Sequence, residues 1–303
     1  MDRFAHMQVF VSVVEAGSIS AAAERLALAK SAVSRRLAEL EAHLGTSLIT
    51  RTTRRLNLTD SGRAYYARCV AILADLDEAE SEASQAHGAL KGKLKVALPL
   101  SFGLLHLAPL IQAFMTRHPE LRFELDFNDR QIDLMQEGFD LAVRIATLED
   151  SSLIARRLAP IRHVVCASPD YVAKHGTPLV AADLADHDGL VYSNLRDPGL
   201  WTYHNPDGLP GQVRVPVRLA ASSGEFLMRA AIAGEGLLLL PSFYVHAALR
   251  SGQLVRVLAD HRWPELSAYA VYPPTRHLSN RVRALIDFLA ERLAGEPDWD
   301  RME

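Results

Sequence analysis

Apolar residues near the start of the chain recur at intervals of three and four, which is the spacing of one buried helix face. The intervals predict a helix over residues 4–14, a second over residues 19–26 capped by Ser18, and a third over residues 30–44 that ends at Gly45. Residues 47–58, rich in Thr, Arg, Ile and Leu, predict a short two-stranded wing. Three helices and a wing make a winged helix-turn-helix.

A long helix is predicted next, from Thr59 or Ser61 to about residue 86, on the order of 42 Å in length. Its apolar residues fall at alternating steps of four and three, at Tyr65, Cys69, Ile72, Leu76, Ala79 and Ala83. This stripe is too narrow for a globular core and is typical of helices that pair with the same helix of a second chain. We therefore expect a homodimer held by Tyr65, Cys69, Ile72 and Leu76, with a hinge at residues 88–92.

From Lys93 onward, short apolar segments alternate with helical patterns. Strands are predicted at residues 95–98, 122–127, 141–145, 164–167, 190–192, 213–219, 237–240 and 268–271, and helices at 103–117, 130–137, 169–174, 224–233, 242–249 and 279–293. Such alternation predicts an open α/β fold, and the length of this region fits two lobes with a cleft. The apolar stretches 94–116 and 230–249 are interrupted by charges and prolines, so no membrane span is predicted.

The net charge of −3 conceals an uneven distribution of charge along the 303 residues. Residues 25–55 hold seven Lys and Arg against two Glu, whereas residues 69–87 hold five Asp and Glu and no Lys or Arg. A basic N-terminal segment on a mildly acidic chain fits a nucleic-acid module joined to a different domain, although a solvated charged face explains the charge alone equally well. The hydrophobic content of 49% excludes a disordered or fibrous chain.

The motifs of common enzymes are missing from the sequence. There is no Gly-x-Ser-x-Gly elbow, Ser-x-x-Lys pair or Walker loop, and no two of the 12 histidines lie within five positions of each other. We therefore expect no catalytic residues, no metal and no cofactor. The two cysteines, Cys69 and Cys166, are expected to be packing residues in a reducing compartment, and the N-terminus lacks a secretory signal, so a cytoplasmic protein is predicted.

Five runs of residues carry a resemblance to a known family, two near the N-terminus and three from Asp140 onward. The runs Ser31-Ala-Val-Ser34-Arg-Arg-Leu-Ala-Glu-Leu-Glu41-Ala-His-Leu44-Gly45 and Arg51-Thr-Thr-Arg-Arg55-Leu-Asn-Leu-Thr59-Asp-Ser-Gly62 resemble the LysR-type transcriptional regulators. The runs Asp140-Leu-Ala-Val-Arg144-Ile, Cys166-Ala-Ser-Pro-Asp-Tyr-Val and Ala233-Gly-Glu-Gly-Leu-Leu-Leu-Leu-Pro241 are similar to the CrgA-like branch. Lys30 and the pair Ile49-Thr50 depart from the usual pattern of the family. Lys30 is expected to affect which bases are read, and Ile49-Thr50 the packing of the wing.

The resemblance implies a modular α+β chain. It would have a winged helix-turn-helix over residues 1–58, a linker and dimerisation helix over 59–87, and a two-lobed, periplasmic-binding-protein-like effector domain over 88–303. The family binds double-stranded DNA at an interrupted inverted repeat and often assembles into homotetramers. A solute-binding protein or an enzyme built on the same two-lobed fold are the alternatives, and both are disfavoured by the basic module or by the missing motifs.

The candidate DNA-binding residues lie in the third helix and the wing. Lys30, Ser31, Ser34 and Arg35 are predicted at the base edges and groove wall, and Arg51, Arg54 and Arg55 at phosphates or the minor groove. Each arginine taken singly is also compatible with a plain surface or ion-paired role.

The candidate effector residues lie where predicted strands end and helices begin, because free backbone N–H groups there favour an anion such as a carboxylate. They are Ser101, Phe102, Asn128, Asp129, Ser193 and Ser223, with Phe127, Trp201 and Phe226 as further apolar walls. Ser101 and Ser222 are also compatible with plain helix caps. Asp129 would repel an anion, so it is expected to face away, to cap the helix that follows it or to bind a ligand hydroxyl. Arg144 is expected to pair with a structural acid or with a ligand carboxylate, and the structural role is favoured.

Overall fold

The structure is a computed structural model that describes residues 2–51, 56–83, 90–130, 132–147, 153–274 and 278–301. Its helices are α1 (Arg3–Ala16), α2 (Ile19–Arg25), α3 (Lys30–Leu44), α4 (Asp60–Ala83), α5 (Leu100–Phe102), α6 (Ala108–Arg117), α7 (Leu134–Glu137), α8 (Pro169–His175), α9 (Gly224–Ile232), α10 (Ser242–Arg250) and α11 (Asn280–Arg292). Its strands are β1 (Ile49–Arg51), β2 (Leu56–Leu58), β3 (Gly92–Leu98), β4 (Leu121–Phe127), β5 (Leu141–Ala146), β6 (Ile154–Ala167), β7 (Gly189–Tyr192), β8 (Leu200–His204), β9 (Pro210–Arg214), β10 (Val217–Ala221), β11 (Leu237–Pro241), β12 (Val255–Val257) and β13 (Glu265–Tyr272).

The N-terminal module is the predicted winged helix-turn-helix. The Ser18 side chain caps α2 by accepting a hydrogen bond from the Ala21 backbone N–H at 3.1 Å, and Gly45 ends α3 in the left-handed conformation at φ 66°. Strands β1 and β2 pair antiparallel as the wing. The Glu41 carboxylate accepts hydrogen bonds from the backbone N–H groups of Leu48 and Ile49, so the start of the wing is fixed to α3.

Helix α4 packs its first half on the core of this module. The Tyr65 ring lies 5.8 Å from the Phe10 ring of α1, and Cys69 is fully buried in the same core. The prediction that Cys69 holds a dimer is therefore wrong, because its own chain already covers it, and Tyr65 is also partly covered by α1. Ile72, at 38% exposure, and Leu76, half-buried, remain available to a second chain.

The remainder of the chain forms two lobes that share one mixed sheet. Among the described residues this sheet has nine strands, in the order β10-β7-β11-β6-β13-β5-β3-β4, with β12 pairing beside β6. The first lobe contains β3, β4 and β5, covered by α6 and α11 around Leu94, Phe114 and Leu285. The second contains β7, β10, β11 and β12, with cores around Trp201 and Leu238. The predicted two-lobed α/β fold is confirmed.

Strand β6 joins the lobes. Its first half pairs with β13 and its last residues pair with β11 and β12 of the second lobe. The sequence predicts a strand only over residues 164–167, because Pro160 and the arginines before it are untypical of a strand. The single strand predicted over residues 213–219 is wrong, since β9 ends at Arg214 and β10 begins at Val217, on either side of Pro216.

Within the described residues, no helix is long and apolar enough to cross a membrane.

Candidate DNA-binding surface and effector cleft

Helix α3 presents one polar face to solvent and one apolar face to the core. Lys30, Ser31 and Arg35 are exposed and Ser34 is half-buried, while Val33 and Leu37 on the opposite face are fully buried. Ala29 precedes the helix and provides no side-chain cap, so no capping side chain covers the first backbone N–H groups of α3. Donors and a positive helix end therefore point away from the core, as contact with DNA requires.

The Arg35 side chain lies on this surface and makes a long ion pair. Its Nε lies 3.8 Å from the Oε1 atom of Glu39 one turn along α3, and the other Glu39 oxygen, Oε2, lies 2.8 Å from His6 Nε2. The hydrogen bond from His6 holds the pKa of Glu39 below its usual value, so this carboxylate stays charged at neutral pH. The Arg35 side chain nevertheless keeps 74% of its surface exposed and remains free to reach a nucleic acid.

The wing is described only in part. Arg51 ends β1, whereas Arg54 and Arg55 lie outside the described residues. Ile49 is 7% exposed and packs in the core of the module, and the Thr50 hydroxyl donates to the Asn57 carbonyl oxygen at 3.2 Å. The unusual pair Ile49-Thr50 thus contributes to wing packing.

The Asp129 carboxylate lies between the two lobes. Its Oδ1 atom accepts a hydrogen bond from the Leu100 backbone N–H at 3.0 Å, within the first lobe. Its Oδ2 atom lies 3.4 Å from the Tyr192 hydroxyl, at the end of β7 in the second lobe. Two expectations for this residue, that it faces away or caps the helix directly after it, are therefore wrong, because its carboxylate bridges the cleft.

Two tyrosines line the cleft beside Asp129. The Tyr192 hydroxyl accepts a hydrogen bond from Asn194 Nδ2 at 3.1 Å, and burial, with the nearby Asp129 charge, raises the pKa of Tyr192 to about 12. Burial also raises the pKa of Tyr244 on α10, and the nearby Ser101 hydroxyl partly offsets this rise. Both tyrosines are therefore neutral hydrogen-bonding groups at physiological pH.

The structure brings only some of the predicted effector residues to this cleft. Ser101 faces it, whereas Phe102 is 1% exposed and packs against Phe243 and Trp299, so its side chain belongs to the core of the first lobe and not to an open site. The Asn128 side chain accepts from the Arg130 backbone N–H at 3.1 Å and shapes the turn that presents Asp129. Ser193 is exposed beside Tyr192.

Helix α9 begins at the edge of the second lobe. Ser223 caps it by accepting from the Phe226 backbone N–H at 3.2 Å, so the cap is not Ser222. A Cβ atom on Gly224 would lie 2.5 Å from the Tyr244 ring, which shows how closely that ring covers the helix start. Tyr244 was not predicted as a site residue, because nothing in a helical pattern indicates that its hydroxyl reaches Ser101.

The remaining predicted residues around the cleft have mostly structural contacts. Arg144 donates to the Ile132 carbonyl oxygen, a backbone contact that favours a structural role. Trp201 is 4% exposed in a core of the second lobe, Phe127 is half-buried, and Phe226 is 54% exposed.

A cavity of about 550 Å³ lies where the end of β5 and the start of β13 meet the β8–β9 hairpin. It is lined by Thr147, Thr202, Tyr203, His204, Pro210, Gly211, Gln212, Pro264, Glu265 and Leu266. The hydroxyl and amide groups could hold a small polar molecule, but the sequence gives no signal for this cavity, because its residues come from three distant segments.

Cys69 and Cys166 are both fully buried and unpaired, as predicted for packing residues. No group of three or more His, Cys, Asp or Glu side chains among the described residues is arranged to hold a metal ion.

A winged helix-turn-helix followed by a linker helix and a two-lobed α/β domain defines a class of DNA-binding regulators with a ligand-sensing domain. Residues 4–63 match the bacterial regulatory helix-turn-helix protein, lysR family, and residues 87–294 match the LysR substrate binding domain. The chain belongs to the LysR family of transcriptional regulators, and not to an enzyme family.

Individual relatives agree with this assignment. The transcriptional regulator CrgA of Neisseria meningitidis serogroup C is 38% identical over 288 residues, covering 95% of this chain and 96% of that protein. The solved structure of CrgA from Neisseria meningitidis has a TM-score of 0.62 at 38% identity, covering 96% of this chain and 98% of that one. The full-length structure of AphB, a virulence activator of Vibrio cholerae, has a TM-score of 0.60 at 28% identity, covering 94% and 98%. The chain is therefore a CrgA-like LysR regulator.

Proposed function

We propose that this regulator binds an interrupted inverted repeat in double-stranded DNA and that a small-molecule carboxylate, bound between the lobes, modulates this binding. The protein acts in the cytoplasm as a homodimer that pairs again into a homotetramer. Residues 1–58 form the DNA-binding domain, residues 59–87 the linker and dimerisation helix, and residues 88–303 the effector-binding domain.

The observation that carries the DNA part of the proposal is the polar face of α3. Lys30, Ser31 and Arg35 stand exposed on the side opposite the buried Val33 and Leu37, beside an N-terminus without a side-chain cap. Lys30, Ser31, Ser34 and Arg35 read base edges and the groove wall, and Arg51, Arg54 and Arg55 bind phosphates or the minor groove.

The observation that carries the effector part of the proposal is that polar side chains contact one another across the cleft between the lobes. Asp129 bonds within the first lobe and to Tyr192 of the second, and the Ser101 hydroxyl lies near the hydroxyl of Tyr244 on α10. A ligand that enters between these groups, contacting Ser101, Asn128, Asp129, Ser193 or Ser223, changes how the lobes are held together. Its effect on DNA binding equals its difference in affinity for the two lobe arrangements, typically about 1–3 kcal/mol.

Footprinting of the full-length protein on genomic fragments tests the DNA part. We expect protection of two half-sites, and Arg54→Ala should weaken binding to all sequences and reduce the slope of log affinity against log salt by about two for a dimer. Arg54→Lys is the matched control, because it keeps the charge, whereas Arg35→Ala should change which base is preferred. Equal salt slopes for Arg54→Ala and the parent protein would remove Arg54 from the phosphate role.

A thermal-shift screen of small acids, followed by footprinting with each acid that binds, tests the effector part. We expect at least one acid to raise the melting temperature and to change the footprint, and Ser101→Ala to reduce that response without changing ligand-free DNA affinity. Loss of DNA binding in Ser101→Ala, or an unchanged ligand response, would contradict the assignment of Ser101. Failure of the parent protein to shift any DNA fragment in a gel would favour the solute-binding alternative.

A further inference from the structure

Asp129 has no cationic partner among the residues that the structure describes. The neighbouring Arg130 is directed elsewhere, since its guanidinium pairs with Glu137 at 2.7 Å and with Asp126 at 3.7 Å. The partners that the described residues give to the Asp129 carboxylate are dipolar groups, the Leu100 backbone N–H and the Tyr192 hydroxyl.

The hydrogen-bonding capacity of this carboxylate is also only partly used. A carboxylate accepts about four hydrogen bonds, and Asp129 receives one from the Leu100 backbone N–H at 3.0 Å and a long one of 3.4 Å from Tyr192. The residue as a whole remains exposed. An incoming donor can therefore reach the oxygen that faces the second lobe.

The groups around this oxygen are polar but uncharged or negative. Tyr192, Asn194 and the Ser101–Tyr244 pair supply hydroxyl and amide groups, and Glu225 of α9, whose charge is partly balanced by Arg229 at 2.7 Å, adds a further carboxylate near Tyr244. A bare anion next to Asp129 would meet repulsion here, whereas a cation would meet attraction.

We infer that Asp129 is a specificity-determining residue that pairs with a protonated nitrogen of the effector. The inference rests on the effector site proposed above and narrows its ligand: the effector is zwitterionic, with an ammonium or guanidinium group at Asp129 and its carboxylate on the side of the cleft away from that residue. Three ammonium hydrogens match the free acceptor sites of Asp129 and the tyrosine oxygens beside it.

Matched sets of compounds test the inference on the full-length protein. Phenylalanine, 3-phenylpropanoate and 2-phenylethylamine form one set, and norleucine, hexanoate and pentylamine another, used beside a library of acidic, basic, neutral and zwitterionic metabolites. Thermal shift identifies the compounds that bind, and isothermal titration calorimetry measures their affinity. For each acid that binds, we expect its amino-bearing counterpart to bind about tenfold more tightly or better, as a charge-assisted hydrogen bond provides.

Asp129→Asn should reverse this preference, because it keeps an oxygen for the Leu100 N–H but removes the charge: zwitterions bind more weakly and the deaminated acids more tightly. Asp170→Asn, at an exposed position on α8, is the control and should change neither. Deaminated acids that bind the parent protein as tightly as their amino counterparts, or an unchanged preference in Asp129→Asn, would overturn the inference while leaving the effector site in place. If no compound of any charge type binds, the proposed effector function itself fails and the inference fails with it.

Discussion

The Tyr65 ring on α4 lies 5.8 Å from the Phe10 ring on α1, within the core that also buries Cys69. The two halves of the linker helix α4 therefore have different roles. Its first half completes the core of its own DNA-binding domain, and only from Ile72 onward does it keep apolar surface for a second chain. This division separates domain stability from dimerisation and makes the two testable one at a time.

Cys69→Leu distinguishes a core position from a dimer seam. Leucine is a favourable residue in a coiled-coil seam, whereas in the filled core beside Tyr65 its extra volume should lower the free energy of unfolding by about 1–3 kcal/mol. Urea unfolding followed by far-UV circular dichroism measures the stability, and analytical ultracentrifugation measures the dimer. A stronger dimer with unchanged stability would show that Cys69 faces the partner after all.

Leu76→Glu tests the second half of the helix. A carboxylate buried between two paired helices has no partner, so we expect the dimer to weaken by several kcal/mol, on the order of the cost of an unpaired buried charge. The folded DNA-binding domain should keep its stability, because Leu76 lies beyond the core around Cys69. Multi-angle light scattering measures the mass, with Leu76→Met as control, and an intact oligomer in Leu76→Glu would refute the seam.

The ends of α3 could be predicted from the sequence because local chemistry fixes them. The helix starts at Lys30 and ends before Gly45, whose positive φ few other residues adopt readily. The same holds for α2, which Ser18 caps. For α8, α9, α10 and α11, each predicted end lies within one residue of the observed end.

The contacts that build the cleft could not be predicted, because they depend on the tertiary arrangement. Tyr192 and Asp129 are 63 positions apart and meet only because β6 carries the chain from one lobe to the other. The burial of Phe102 has the same origin: an aromatic residue after a serine at a strand end is compatible with either a ligand wall or a core. Only the packing of Phe243 and Trp299 around it decides for the core.

Stability of the effector domain should depend on pH through His163. Burial lowers the pKa of His163 on β6 to about 4, and its Nδ1 lies 2.7 Å from the Pro264 carbonyl oxygen. Between pH 6.5 and about 4 the unfolded chain binds a proton at this residue and the folded chain does not, so the free energy of unfolding falls as the pH falls, by about 3 kcal/mol at most. Burial lowers the pKa of His106 to about 4 as well and adds to the same slope.

Tryptophan fluorescence isolates this effect, because Trp201, Trp263 and Trp299 all lie in the effector domain. We expect urea unfolding curves to shift to lower denaturant as the pH falls, and His163→Asn to reduce the slope by up to one proton. Asparagine keeps a donor for Pro264 but does not titrate. His43→Asn, at an exposed position on α3, should leave the slope as it is, and a slope that is equal in His163→Asn and the parent protein would exclude His163 as its source.

Gly224→Ala should change the ligand response through Tyr244. The new methyl group would lie 2.5 Å from Tyr244 Cζ, so the ring must move and carry its hydroxyl away from its place near Ser101. Because the Tyr244 ring stacks on Phe243 at 4.4 Å, we expect the free energy of unfolding of the effector domain to fall by about 1–3 kcal/mol. Affinity for an effector identified by thermal shift should fall about tenfold, the effect of one lost hydrogen bond in the cleft.

Tyr244→Phe is the matched control, because it removes the same hydroxyl without moving the ring. It should give the same loss of effector affinity in calorimetry, with ligand-free DNA affinity unchanged in both variants. If Gly224→Ala weakens effector binding and Tyr244→Phe does not, the position of the Tyr244 ring and not its hydroxyl determines effector affinity.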